Sequence, residues 1–114
     1  MIFEIRNYHY DPAQFDAYLH WAENHAIPVL SEAFDVVGFW VESGEDTEVT
    51  GSAPMDTPIG HANVTWIIRW DSKAARDEGW DKLRATQQWK AVGAAHPDPN
   101  GYRQIEIRYA RNIG

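Results

Sequence analysis

His20, Glu23 and His25 fall within the stretch LHWAENHAIPVL, residues 19–30, and a proline follows at 28. On a helix turning about 100° per residue, His20 and Glu23 project about 60° apart, whereas His25 lies about 140° from His20. Helical metal pairs need i, i+4 spacing on one face, so no metal site is expected here. Pro28 removes a backbone donor, should leave the Asn24 carbonyl without its usual partner and is expected to bend the helix near His25. Such a bend would tip His25 toward a pocket, where an imidazole could serve as acid or base. The alternative is a boundary histidine that only hydrogen-bonds a neighbour.

Arg76 is the second candidate. On a helix starting after Ser72 it shares a stripe with Gly79, Trp80 and Leu83 and points at the rest of the domain, where a guanidinium requires an anion. That anion is either an internal Glu or Asp, or the carboxylate or enolate of a ligand. Asn7 and His9 follow Phe3 and Ile5 on one side of the first strand, and parity is expected to put Trp66 in the same layer. Polar groups there must find partners or face a cavity. With six Trp, five Tyr and four Phe in 114 residues, the chain can wall such a pocket in aromatic rings, Tyr18, Trp66 and Trp80 among them. Cysteine is absent, which removes disulfides, thiolate metal sites and cysteine nucleophiles. No glycine-rich phosphate loop, serine elbow or paired-carboxylate motif is present.

These residues need elements to position them. Residues 2–10, IFEIRNYHY, alternate like a strand with one apolar face (Phe3, Ile5, Asn7, His9) and one charged face (Glu4, Arg6, Tyr8, Tyr10). The charged face is expected to point away from the helices. Asp11, Pro12 and Gln14 suggest an N-cap, first helical position and capping box, with Tyr10 and Phe15 as a staple. The helix that follows carries Phe15, Tyr18, Leu19, Ala22, Ala26, Val29, Leu30 and Ala33 at three- and four-residue intervals. Residues 36–42 and 62–71 read as strands, separated by an acidic, Gly/Pro-rich loop at 44–61. A helix runs from Lys73 to about Arg84, Thr86 caps a short one around Trp89, and 103–110 form the last strand.

The order strand, helix, strand, strand, helix, strand predicts an α+β, ferredoxin-like βαββαβ sheet with two helices on one face, a single domain over residues 1–114. First and last strands should be antiparallel neighbours. The repeat of Glu4-Ile5-Arg6 as Glu106-Ile107-Arg108 predicts a register that sets Glu4 opposite Arg108 and Arg6 opposite Glu106. Thr65, Ile67 and Arg69 leave the other face of the central strand too apolar for exposure, so a second copy of the chain is expected to cover it and form a dimeric α+β barrel. The two charge pairs would then bridge inside that barrel.

The quoted segments resemble the NIPSNAP family: FEIRNYHY at 3–10, ENHAIPVL at 23–30, VGFW at 37–40 and RWDSKAARDEGWDKLRATQQW at 69–89. The departures are the long acidic loop and ATQQW where the family often has an Asp-Pro-Glu-Trp turn. The resemblance implies a dimeric barrel with a pocket and no single reaction. Asn7 with Trp66 is also similar to the asparagine and tryptophan of haem-degrading and cofactor-free monooxygenases of this fold. Their haem-ligating histidine has no counterpart near Arg76 and Asp77, so no cofactor is expected.

The net charge of −7, from 17 acidic and 10 basic residues, argues against nucleic acid. No apolar run approaches the roughly 20 residues of a membrane helix and the N-terminus lacks a signal-peptide pattern, so a cytoplasmic protein is expected. The leading expectation is a homodimer that binds a small apolar or aromatic metabolite through Asn7, His9, Tyr18, Trp66 and Trp80, with His25 and Arg76 as candidate catalytic groups. A cofactor-independent monooxygenase or isomerase acting on an enolisable aromatic substrate is the first alternative, with His25 moving a proton and Arg76 stabilising the enolate. A non-catalytic structural dimer is the second.

Overall fold

The computed structural model describes residues 1–114. It contains strand β1 (Ile2–Tyr10), a 3-10 turn (Pro12–Gln14), helix α1 (Phe15–Trp21), a π-helical turn (Ala22–Ala26), helix α2 (Ile27–Ala33), strands β2 (Asp35–Val41) and β3 (Val64–Trp70), helices α3 (Lys73–Arg84) and α4 (Gln87–Ala94), and strand β4 (Tyr102–Ala110). The four strands form one antiparallel sheet in the order β2-β3-β1-β4. This is the anticipated α+β arrangement, with β1 and β4 as neighbours.

Local chemistry explains the boundaries. Ser72 Oγ accepts from the Ala75 N–H at the start of α3, and Thr86 Oγ1 accepts from the Trp89 N–H at the start of α4. Asp11 caps as anticipated, accepting from the Ala13 N–H, but the capping box does not form. Gln14 instead donates to Asp98 Oδ2 at 2.8 Å, tying the first turn to the loop before β4. The Tyr10–Phe15 staple is likewise replaced: both rings pack on Tyr18, at 4.5 and 6.0 Å between centroids.

Pro28 does disturb the helix, by widening it. The Ile27 N–H donates to the Ala22 carbonyl, five residues back, so one extra residue is accommodated just before the proline. Ala22, Ala26 and Leu30 take the buried positions, while Glu23, Asn24 and His25 are exposed. The expected tilt of His25 into a pocket is therefore corrected: Ala26 keeps its place on the core stripe across the wide turn, and His25 is left in solvent.

Strand β1 also turns the opposite face to the helices from the one expected. Glu4, Arg6, Tyr8 and Tyr10 are buried under the helices, and Phe3, Ile5, Asn7 and His9 occupy the open face. Arg6 lies opposite Trp66, and Asn7 opposite Thr65, so Asn7 and His9 do not share a layer with Trp66. The register with β4 is also one residue away from the expected one, with Glu4 opposite Tyr109 and Arg6 opposite Ile107. The shift sends Glu106 and Arg108 to the open face, opposite Asn7 and Ile5, and breaks up the expected charge bridges. A cross-strand charge pair contributes only about 0.2–1 kcal/mol, less than the roughly 1–3 kcal/mol at stake for each buried polar group left without a partner. Satisfying Glu4 from the helix side therefore decides the face.

The core on the helix side combines these residues with Tyr18, Trp21 and Leu30 from the first helical segment, Val64, Trp66 and Ile68 from β3, and Trp80, Leu83 and Val92 from α3 and α4. The open face is half apolar, with Phe3, Ile5 and Ile67 partly exposed and Trp40 49% exposed. Residues 42–63 link β2 to β3 without helix or strand, with positive φ at Gly44, Gly51 and Gly60. No helix is long and apolar enough to cross a membrane.

Candidate functional site

Two features sit under the helices, a polar cluster and a cavity. The first is centred on Glu4, whose relative exposure is 0%. Its Oε1 accepts from Arg76 Nε at 3.0 Å, Trp70 Nε1 at 3.0 Å and Trp80 Nε1 at 3.1 Å, and its Oε2 accepts from Arg6 Nε at 2.7 Å and Arg76 Nη2 at 3.0 Å. Burial pushes this carboxyl up, but the hydrogen bond from Arg76, the charge and hydrogen bond of Arg6 and the bond from Trp80 outweigh it and hold Glu4 below the usual carboxylate range. Arg76 moves the opposite way: its bond to Glu4 outweighs burial and raises its pKa. Of the two anions anticipated for Arg76, the internal carboxylate is the one present, with Asp77 Oδ1 a further 3.0 Å partner.

The second feature is a cavity of about 260 Å³ between the sheet and the helices. Trp66 and Phe39 floor it from the sheet, Tyr18, Trp21, Ala26 and Leu30 line it from the first helical segment, and Trp80 and Trp89 close it from α3 and α4. Tyr8, Tyr102 and Ile105 form the β1–β4 wall, and Arg6 and Arg84 are the charged members. Arg6 is 8% exposed and lies over the Trp80 ring at 4.5 Å and the Trp66 ring at 5.4 Å. Burial is the largest factor raising both the Tyr18 and the Tyr102 phenol pKa, so both stay protonated across the physiological range.

Behind the tyrosines stands His96. Its Nδ1 accepts from the Asp98 N–H at 3.0 Å, which assigns the ring proton to Nε2, 2.9 Å from the Tyr102 hydroxyl. Burial lowers the His96 pKa and Asp98 only partly opposes it.

The structure brings Tyr18, Trp66 and Trp80 together around the cavity and leaves the other sequence-derived candidates outside it. Arg76 is committed to Glu4, and His25 is exposed on the outer surface of the π turn. On the open face, Asn7 Oδ1 accepts from Thr65 Oγ1 at 2.7 Å, and His9 Nδ1 bonds the Gly60 carbonyl at 2.8 Å. No cluster of three or more His, Cys, Asp or Glu side chains is arranged to hold a metal ion. Sequence reasoning missed Glu4, Arg6, Tyr8 and Tyr102. The usable signal was Tyr8 and Tyr10, two large aromatic rings with the same parity as Glu4 and Arg6, whose burial area outweighs the apparent polarity of that face.

No family model and no curated protein sequence matches the chain. Solved structures do. A NIPSNAP domain protein from Burkholderia xenovorans aligns with a TM-score of 0.74 and 16% identity over 99% of this chain and 95% of that one. A NIPSNAP family protein from Agrobacterium tumefaciens also gives 0.74, at 20% identity over 98% of this chain and 85% of that one. A dimeric ferredoxin-like protein from Jannaschia sp. gives 0.52, at 9% identity over 97% and 98% of the two chains. The motifs at residues 3–10, 23–30, 37–40 and 69–89 and this structural likeness point the same way, and the chain has the antiparallel α+β fold of the NIPSNAP structures.

Proposed function

We propose that the chain is a NIPSNAP family protein that acts as a homodimer and binds a small apolar or aromatic metabolite in the cavity between its helices and sheet. The carrying observation is the cavity itself: about 260 Å³, with eleven of its thirteen lining residues hydrophobic. A filled core of the same composition would leave no such space, which favours this reading over a purely structural dimer. The Tyr18, Trp66 and Trp80 walls are the binding residues. Asn7 lies on the open sheet face, His25 on the outer surface and Arg76 in the buried Glu4 cluster, so proton transfer by His25 next to an enolate held by Arg76 has no geometric support.

The open sheet face supports the dimer. Phe3, Ile5, Ile67 and Trp40 place apolar surface where an antiparallel sheet needs either water-compatible side chains or cover. A second copy supplies that cover symmetrically, as suits the dimeric likeness in Jannaschia. Sedimentation at micromolar concentration is expected to give a dimer, and Ile67→Glu to give a monomer; a monomeric wild type refutes the assembly. Titration with aromatic acids and phenols is expected to quench the tryptophan fluorescence, because Trp21, Trp66, Trp80 and Trp89 all line the cavity. Quenching that survives Ala26→Trp, which fills the cavity, would refute the location. Compounds that bind are then assayed for oxygen uptake, the readout that separates an oxygenase from a binding protein.

A further inference from the structure

We propose that the ligand of this cavity carries an anionic or enolic oxygen, and that Arg6 and Tyr8 hold that oxygen. This rests on the reading of the cavity as a binding site and adds the chemistry of what enters it. The Tyr8 hydroxyl accepts from Arg6 Nη1 at 3.1 Å and from Trp66 Nε1 at 2.9 Å. Both of its lone-pair directions are thereby used, and no acceptor in the chain takes its proton. Two donors, one of them a guanidinium, polarise the phenol and make that remaining O–H a stronger donor.

Arg6 is in a comparable position. Its Nε bonds Glu4 and its Nη1 bonds Tyr8, while Nη2 has no partner in the chain. No fully buried side-chain nitrogen or oxygen lacks a partner, so Nη2 reaches open space, and the cavity is the space that Arg6 lines. One cavity wall therefore presents two adjacent unused donors in otherwise apolar surroundings.

Charge points the same way. Glu4 is the sole carboxylate bonded to both Arg6 and Arg76, which leaves one surplus positive charge in the buried group. Asp77 offsets it only from the outside, half exposed and shared with Lys73. In low-dielectric surroundings an oxyanion on the Arg6 side completes the balance. The remaining walls of the cavity are mostly aromatic and apolar, Tyr18, Trp21 and Trp89 among them, so an aromatic carboxylate or a stabilised enolate is the fitting class.

The test compares two probes of one shape, 2-naphthoate and 2-naphthylmethanol, by calorimetry on the full chain. The acid is expected to bind at least about tenfold tighter, the scale of a charge-assisted hydrogen bond. Tyr8→Phe keeps the ring and should remove most of that preference, weakening the acid severalfold more than the alcohol, whose neutral oxygen is the poorer acceptor. Arg6→Lys keeps a cation for Glu4 and should weaken the acid alone; thermal unfolding checks that both variants fold. Arg84→Gln serves as the control, because Arg84 lines the cavity but stacks on Trp80 and pairs with Asp81. Loss of the acid's preference in Arg84→Gln, with none in Tyr8→Phe, would overturn the assignment by placing the anion elsewhere. Equal affinity for acid and alcohol would overturn it and leave the binding cavity standing. Failure of both probes to bind would overturn the cavity reading together with it.

Discussion

Glu4 and Tyr8 sit four residues apart on the same face of β1, both under the helices, and their surroundings differ in one respect. Every lone-pair region around Glu4 is occupied, by two guanidinium groups and two indoles. Around Tyr8 one hydroxyl proton and one arm of Arg6 remain unused beside a cavity. Polar groups at both ends are buried, yet only one end is saturated. Burial of polar residues alone does not mark a site; incomplete satisfaction next to open volume does.

The severest way to break this contrast is at the saturated end. Glu4→Gln leaves Arg6 and Arg76 buried without a carboxylate, and removing one partner of a buried ion pair costs about 3–5 kcal/mol. Chemical denaturation should show that loss near neutral pH. The acid limb of the stability curve should change as well. The Glu4 pKa is below its reference of 4.5 in the fold, so its contribution is present above that value and is lost as pH falls through the lower folded one. The wild type should lose stability over this range faster than Glu4→Gln. Parallel curves would show that Glu4 is not held as a carboxylate.

That the saturated end went unread in the sequence has a definite cause. Element order, helix limits at Lys73 and Arg84, and the apolar face of β3 all follow from local patterns, which periodicity and caps report directly. The face of β1 is decided by residues far along the chain: Trp70, Arg76 and Trp80 supply the donors that make burying Glu4 favourable. A rule based on side-chain polarity sees Glu4 and Arg6 and turns them outward. Because strand side chains alternate, that one choice misplaced Asn7 and His9 together. The β4 register failed separately, because the Glu-Ile-Arg repeat was paired charge to charge while Glu4 and Arg6 find their partners on the helix side. His25 failed for a different reason, since a π turn and a kink accommodate the same proline but orient the residues just before it differently. Tyr18, Trp66 and Trp80 were legible because aromatic residues on a core stripe line whatever space the core leaves.

A smaller perturbation tests how firmly the saturated end is packed. A Cβ on Gly79 would lie 2.6 Å from Trp70 Cζ3 and 2.8 Å from Cη2. Trp70 cannot swing away freely, because its Nε1 bonds Glu4 and its ring packs on Phe34 at 4.9 Å. Overpacking costs about 1–3 kcal/mol, against a helix-propensity gain for alanine of about 1 kcal/mol. The net expected for Gly79→Ala is a loss on the order of 1 kcal/mol by denaturation, with weakened low-pH behaviour if Glu4 shifts with Trp70. A stabilised variant would show that the indole yields and that this end is looser than its hydrogen bonds suggest.

The smallest expected effect belongs to the open end and comes from His96, whose ring packs 4.2 Å from Trp21 and bonds the cavity-lining Tyr102. Protonating its Nδ1 would turn the acceptor of the Asp98 N–H into a donor facing a donor. Burial lowers its folded pKa from 6.5, so the unfolded chain takes up the proton first as pH falls, and stability declines below that value until the folded pKa is reached. Above it the group contributes no slope. Wild type and His96→Gln should therefore run parallel from pH 8 to about 6.5 and converge or cross below it, since only the wild type has this proton to exclude. Glu4 titrates at lower pH, which keeps the two ends of the strand experimentally separate. A wild type that gains stability relative to His96→Gln on mild acidification would mean that Asp98 outweighs burial. The wall behind Tyr102 would then be open enough to accept a charge.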